Sequence, residues 1–124
     1  DWMIYLEDYV SILKEIKALF PNAKIIPFND LIWSERLNYY IHHPQVTPAY
    51  KQYVTDVVTT FGEFYSFHQY NDITTDASNF LDLYHFYPHV GDIVSENLQK
   101  REPNEVLYIV TKDNLDAYFN SLGI

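Results

Sequence analysis

The chain has 124 residues, of which 48% are hydrophobic, 20% charged and 18% aromatic, a balance typical of a globular domain rather than a disordered or collagen-like chain. Its length suits one domain or part of a larger one, and no apolar run approaches the roughly 20 residues needed to span a bilayer. The absence of cysteine excludes a disulfide framework, a thiolate zinc site, an iron–sulfur cluster and a cysteine nucleophile.

The net charge of the chain limits the kinds of partner that it can bind. With 8 Lys and Arg against 17 Asp and Glu, the formal net charge is −9, which disfavours nucleic acid and an anionic membrane surface as partners. The basic residues cluster only at Lys100-Arg101. The chain starts at Asp1-Trp2 without an initiator methionine, so we expect it to be a piece excised from a longer protein.

The first half of the chain predicts a helix, a strand and a second helix. Apolar residues at helical spacing predict a helix with one buried stripe over residues 3–20, and Pro21-Asn22 ends it. The stripe consists of Leu6, Tyr9, Val10, Leu13, Ile16, Leu19 and Phe20. Residues 23–28 predict a short buried strand, and residues 34–41 predict a short helix before a break at His43-Pro44.

The second half predicts further alternation. Thr47-Pro48 provides an N-cap and a first-turn proline for a helix that Gly62 ends, and residues 64–68 predict a strand followed by a polar loop over residues 69–78. Another helix opens at Pro88, and residues 106–110 predict a strand. Thr111 is expected to cap a last helix through Leu122, with Asp113 in its first turn. This alternation predicts an α/β fold with a parallel sheet covered by helices on both faces.

Polar residues follow the predicted strands at three places, the loops where active sites of open α/β sheets gather. These places are Asn29-Asp30, residues 71–76 and residues 82–85. In the last of them Asp82 lies three residues before His85, a spacing that lets a carboxylate accept an imidazole N–H and fix the tautomer. That arrangement is the one that a general base needs.

The segment around this pair resembles the C-terminal part of the SGNH (GDSL-type) hydrolases, especially their envelope- and polysaccharide-associated branches. The family's last block has the approximate pattern F-x-D-x-x-H-(F/Y)-x-P-x-x-G. The matching residues here are Phe80, Asp82, His85, Phe86, Pro88 and Gly91. The resemblance implies a three-layer α/β/α fold with a mostly parallel, flavodoxin-like sheet, of which this chain would be the C-terminal portion. It also implies that His85 is the general base for a serine nucleophile and that Asp82 orients it.

The rest of the family's catalytic machinery is missing from this sequence. No serine follows a Gly-Asp pair, because Gly91-Asp92 runs into Ile93, and no Gly precedes Asn29-Asp30 as in the family's oxyanion block. We therefore expect a C-terminal fragment of a serine esterase or acyltransferase that acts on O-acyl (acetyl) esters of a glycan, or on a small ester. Without the serine and the oxyanion donors, the chain alone should be inactive, and no cofactor is implied.

Other interpretations of these residues remain open at this stage. Asp82 and His85 could be a helix cap and its neighbour, or could share a metal with His89 at helical spacing. Tyr84, Phe86 and Tyr87 flank the proposed base and are the candidates for stacking on a sugar, whereas the other aromatic residues fit helix–sheet packing. His42, His43 and His68 are assigned no role.

The alternative function is an acidic, aromatic binding or assembly module. A sheet that lacks strands would expose an edge, so a homodimer through exposed sheet edges is expected under either function. The two functions differ in one prediction: Asp82 and His85 contact each other in an open cleft, or they point into a packed core. The compartment stays open between the cytoplasm and the cell envelope.

Overall fold

The computed structural model describes residues 7–124, in which, besides one turn of 3-10 helix at Ala77–Asn79, five α-helices and three strands are present. In chain order they are α1 (Tyr9–Leu19), β1 (Phe28–Asn29), α2 (Ser34–His42), α3 (Thr47–Phe61), β2 (Glu63–Ser66), α4 (Pro88–Lys100), β3 (Tyr108–Thr111) and α5 (Leu115–Leu122). The helices predicted over residues 34–41, over residues 47–61 and from Pro88 are confirmed. The start of the first predicted helix, including Leu6, lies outside the described residues. Within residues 7–124 no helix has the length and apolar character needed to cross a membrane.

The three strands form one sheet in the order β1-β2-β3, which confirms the α/β class. β1 is parallel to β2, with Asn29 opposite Ser66, but β3 is antiparallel to β2, with Val110 opposite Phe64. The prediction that the third strand is also parallel is therefore wrong. Parallel pairing is favoured where a strand leads directly into a crossover helix, whereas here the mostly irregular residues 67–87 separate β2 from α4.

Hydrophobic clusters lie on both faces of β2, because neighbouring strand residues point to opposite sides. Phe64 and Val110 pack in one cluster with residues of α1, α2, α3 and α5. Tyr65 packs in the other cluster with Val90 and Val94 of α4. Both clusters hold fully buried side chains, so the short sheet is stabilised from two sides by apolar burial.

The apolar stripe of α1 is buried only in part. Leu13 is buried where α1 packs against α3, whereas Ile16, Leu19 and Phe20 are 40%, 73% and 56% exposed. The predicted burial is wrong at these three residues. α1 has α3 as its main neighbour among the described elements, so the stripe is wider than the surface that covers it.

The strand predicted over residues 23–28 is reduced to β1, and its burial is reversed. Phe28 is 49% exposed and Asn29 is buried. Pro27 has no N–H for a ladder, and only its carbonyl takes part, as acceptor for the Tyr65 N–H at 3.0 Å.

Two predicted caps also differ from the structure. Thr47 is the first residue of α3, after the N-cap Val46, and its hydroxyl donates to the carbonyls of Tyr40 and His43 instead of capping the helix. Thr111 belongs to β3, and its N–H donates to Asn114 Oδ1 at 2.7 Å. Since this bond turns the chain after the strand, α5 begins only at Leu115 and leaves Asp113 before the helix.

Candidate functional site

The residues of the proposed acid–base pair lie in a hairpin-like loop, which we call the DxxH hairpin (residues 80–86). A single antiparallel bridge joins Phe80 to Phe86 and closes the loop. The Leu81 N–H donates to the His85 carbonyl at 2.8 Å. The hairpin ends just before α4, whose N-terminal Pro88 fixes the backbone direction.

Asp82 holds the tip of this hairpin together. Its Oδ1 accepts the backbone N–H of Tyr84 and of His85, each at 2.8 Å, which makes a local turn. These donors and the His85 ring lower the pKa of the Asp82 carboxyl below its ordinary value, with the Tyr84 N–H as the largest cause. The carboxylate is therefore ionised at neutral pH and is fixed in position.

The Asp82 carboxylate also contacts the His85 ring. His85 Nδ1 lies 2.7 Å from Oδ2 and 2.9 Å from Oδ1 of Asp82, while its Nε2 makes no hydrogen bond among residues 7–124. The two side chains are 71% and 53% exposed, His85 being the more open. The pair thus meets at the surface, with one ring nitrogen held and the other facing solvent. A helix-capping role does not explain the contact between Asp82 and His85, because α4 starts only at Pro88.

Aromatic residues around the pair fall into two groups. Tyr84 and Tyr87 are 46% and 39% exposed, and the Tyr87 ring stacks on His89 at 6.5 Å between centroids. Phe86 is half-buried, packs against the cluster that contains Val90, and lies so close to Gly91 that an added Cβ there would be 3.2 Å from its ring. Two of the three candidate stacking residues are thus accessible, and Phe86 has a packing role that accounts for its place.

The other side of the hairpin rests on the start of α2. The Trp33 ring stacks on Phe80 at 6.5 Å with an interplanar angle of 20°. The Arg36 guanidinium lies over the Tyr84 ring, with Cζ 4.5 Å from the centroid. These two contacts fix the hairpin against the body of the protein.

The metal alternative gains no support from the geometry. His89 Nε2 lies 2.8 Å from Asn79 Oδ1, so this ring nitrogen is already engaged in a hydrogen bond. Across the described part of the chain, no three His, Cys, Asp or Glu side chains form a group that could hold a metal ion.

A buried polar network at the carboxyl ends of β1 and β2 was not predicted from the sequence. Ser66 Oγ lies 2.7 Å from the Tyr118 hydroxyl and accepts Asn29 Nδ2–H at 3.0 Å. The Tyr50 hydroxyl lies 3.1 Å from the Tyr118 hydroxyl and 2.8 Å from His68 Nδ1. The available signal was that Asn29, Ser66 and His68 are polar residues at the ends of two predicted strands.

The protonation of this network follows from its burial. Burial lowers the pKa of His68 to about 3, so its ring is neutral at physiological pH. Burial raises the pKa of Tyr118 to about 12, so its hydroxyl keeps its proton. All five side chains are at most 8% exposed, and we therefore assign the network to the core and not to the surface site.

Two clefts of about 470 Å³ each lie elsewhere on the molecule. One is lined by Lys17, Lys24 and Glu63 among others, and the second by Gln69, Tyr108 and Asn114 among others. Neither includes a residue of the DxxH hairpin.

Comparisons of the chain with family models, with curated proteins and with solved structures found no match. The resemblance to the SGNH hydrolases therefore rests on the motif residues of the sequence alone.

Proposed function

We propose that the chain carries the acid–base half of an SGNH-like serine esterase or acyltransferase that acts on O-acyl esters, such as the O-acetyl groups of a polysaccharide. The observation that supports this most directly is the Asp82–His85 pair. The Asp82 carboxylate is hydrogen-bonded to Nδ1 of the His85 ring. Nε2 of this ring faces solvent, where a serine hydroxyl and an ester could approach.

In this proposal His85 Nε2 removes the proton from a serine hydroxyl as the serine oxygen attacks the ester carbonyl. The same nitrogen then gives the proton to the departing alcohol, and water or an acceptor hydroxyl releases the acyl group from the serine. Asp82 stabilises the imidazolium that forms between these steps. An ionised carboxylate, with its pKa lowered by local N–H donors, suits that role.

The nucleophile must come from another segment, because no Gly-Asp-Ser motif occurs in the 124 residues. We propose that this segment extends the sheet as in a flavodoxin-like, three-layer α/β/α fold. The parallel pairing of β1 with β2 supports the proposal, as does the position of β1 at the edge of the sheet, where no other described strand covers it. Until that edge is covered, it could instead pair with a second copy of the chain.

The test is an esterase assay on the complete natural gene product. We expect it to hydrolyse p-nitrophenyl acetate and to react with a fluorophosphonate at a serine. His85→Ala should lower kcat/KM by about 10³-fold or more, since loss of the base disables the nucleophile. His42→Ala is the matched control, because His42 is an exposed histidine on α2, outside the hairpin.

Unchanged turnover in the His85→Ala variant would exclude this function. In that case the assembly module becomes the better candidate, and the exposed stripe of α1 is the observation in its favour. Leu19→Lys would then be expected to shift the sedimentation coefficient toward that of a monomer, because Leu19 is the most exposed apolar residue of the stripe.

A further inference from the structure

We propose that Arg36 is a carboxylate-binding group beside the DxxH hairpin, and that the substrate is therefore an acyl ester of an acidic sugar, of the uronic acid type. The statement that the bound ligand is a substrate rests on the proposed function. The binding site itself depends only on the surroundings of Arg36.

The guanidinium of Arg36 is held in place by aromatic rings. Its Cζ lies 4.5 Å from the Tyr84 centroid, 4.8 Å from that of Tyr40 and 5.0 Å from that of Tyr39. Such contacts stabilise the cation and restrict its rotamers, but they satisfy none of its N–H donors. A planar fork of donors is thereby oriented before any ligand arrives.

No carboxylate of residues 7–124 forms an ion pair with Arg36, although acidic residues outnumber basic ones by 17 to 8. Lys24 and Lys100, by contrast, are paired with Glu63 and Glu96 at 3.2 and 2.7 Å. Arg36 Nε is buried and has no hydrogen-bond partner. Because Nε is buried, a carboxylate would reach the guanidinium through its terminal nitrogens.

The free donors are accessible and lie near the proposed base. The terminal nitrogens of Arg36 make no hydrogen bond among the described residues and, unlike Nε, are not sealed from solvent. The Tyr84 ring contacts Arg36 on one side and lies 6.4 Å from the His85 ring between centroids. One exposed tyrosine thus separates the anion-binding group from the acid–base pair.

The single positive charge of Arg36 favours a carboxylate over a phosphate as the bound ligand. Phosphate at neutral pH carries up to two charges and is usually bound by several cations, whereas Arg36 is a single cation in a chain of net charge −9. A carboxylate carries one charge and matches the guanidinium fork with two parallel hydrogen bonds. Asp82 does not compete for Arg36, because its oxygens are occupied by His85 and by backbone N–H groups.

The experiment is an NMR titration of the ¹⁵N-labelled 124-residue chain with methyl glucuronide, with methyl glucoside as the neutral probe of the same ring. We expect methyl glucuronide to give a saturable shift of the Arg36 Nε–Hε resonance and methyl glucoside to give none. Arg36→Gln should weaken glucuronide binding at least about tenfold, and Arg36→Lys should weaken it less, since lysine keeps the charge but loses the fork. Arg101→Gln, at an exposed arginine after α4, should leave binding unchanged.

Equal shifts with the two sugars, or no saturable shift of the Arg36 resonance in the wild-type chain, would overturn the proposal. The wild-type resonance answers the question even if Arg36→Gln disturbs the hairpin. Because this readout needs no turnover, its failure is distinct from failure of the esterase assay. Glucuronide binding together with an active His85→Ala enzyme would refute the proposed function and leave the carboxylate site standing.

Discussion

Tyr118 is the residue on which the buried network depends, because its hydroxyl contacts Ser66 at 2.7 Å and Tyr50 at 3.1 Å. Tyr118→Phe removes this oxygen, so the buried hydroxyls of Ser66 and Tyr50 each lose one hydrogen-bond partner. We expect the free energy of unfolding to fall by about 1–3 kcal/mol, measured by urea denaturation. Tyr87→Phe, at an exposed ring, is the control and should change it by less than about 0.5 kcal/mol. A loss for Tyr118→Phe no larger than for the control would show that the network contributes nothing.

The pKa of Asp82 gives a second prediction at this scale. The folded carboxyl has a pKa below its ordinary value of 3.8, so the hairpin tip is stabilised above that pH and loses the stabilisation as pH falls through the folded pKa. A ¹³C carboxyl titration should place the midpoint of Asp82 below 3.8. In the Tyr84→Pro variant, which lacks the main N–H donor, the midpoint should rise. A wild-type midpoint at or above 3.8 would contradict the hydrogen-bonded turn.

Single residues were predicted unevenly from the sequence. The Asp82–His85 contact follows from a local spacing of three residues, which one turn of backbone can satisfy. Arg36 could not be found in this way, because its three aromatic partners come from its own helix and from a loop 48 positions later in the chain. Contacts of that kind depend on tertiary packing, which residue spacing does not encode.

At the scale of elements, the end of α3 depends on the backbone of Gly62. Its φ of 88° lies in the left-handed region, and its N–H donates to the Val58 carbonyl. Gly62→Ala meets no atom within 4 Å, so its cost is conformational alone. We expect a loss of about 1 kcal/mol in the free energy of unfolding, measured by thermal and urea denaturation.

Gly91→Ala is the contrasting variant. Gly91 is inside α4, where alanine is the better helix former, but the new Cβ would lie 3.2 Å from the Phe86 ring. It should therefore shift the resonances of the DxxH hairpin, whereas Gly62→Ala should not. Identical hairpin spectra in both variants would show that Gly91 does not position the hairpin.

The helices were predicted better than the strands, and the reason is physical. α3 has a proline in its first turn and a glycine at its end, both of which act locally. β1 consists of two residues, and its position depends on pairing with Tyr65 and Ser66 far along the chain. The direction of β3 depends in the same way on the path of the irregular segment before α4, which carries no periodic signal.

For the whole molecule, the neutral His68 makes stability depend on pH. Its folded pKa is about 3 against an ordinary value of 6.5, so between these values the unfolded chain binds more protons and stability rises with pH. One proton contributes at most about 1.4 kcal/mol per pH unit. We expect the free energy of unfolding to fall as pH is lowered from 6.5 to 5, and His68→Gln to reduce this slope. Equal slopes in the two proteins would show that His68 is not the group responsible.

The stacking of Trp33 on Phe80 has a spectroscopic consequence. The chain has 2 tryptophans, so Trp2→Phe leaves Trp33 as the sole indole fluorophore. Its emission then reports whether the DxxH hairpin rests on α2, because lifting the hairpin would uncover a half-buried indole to water. Trp33, just before α2, is thus a native optical probe of the hairpin, with which ligand-induced movement of the hairpin can be followed in a stopped-flow instrument without attaching a dye.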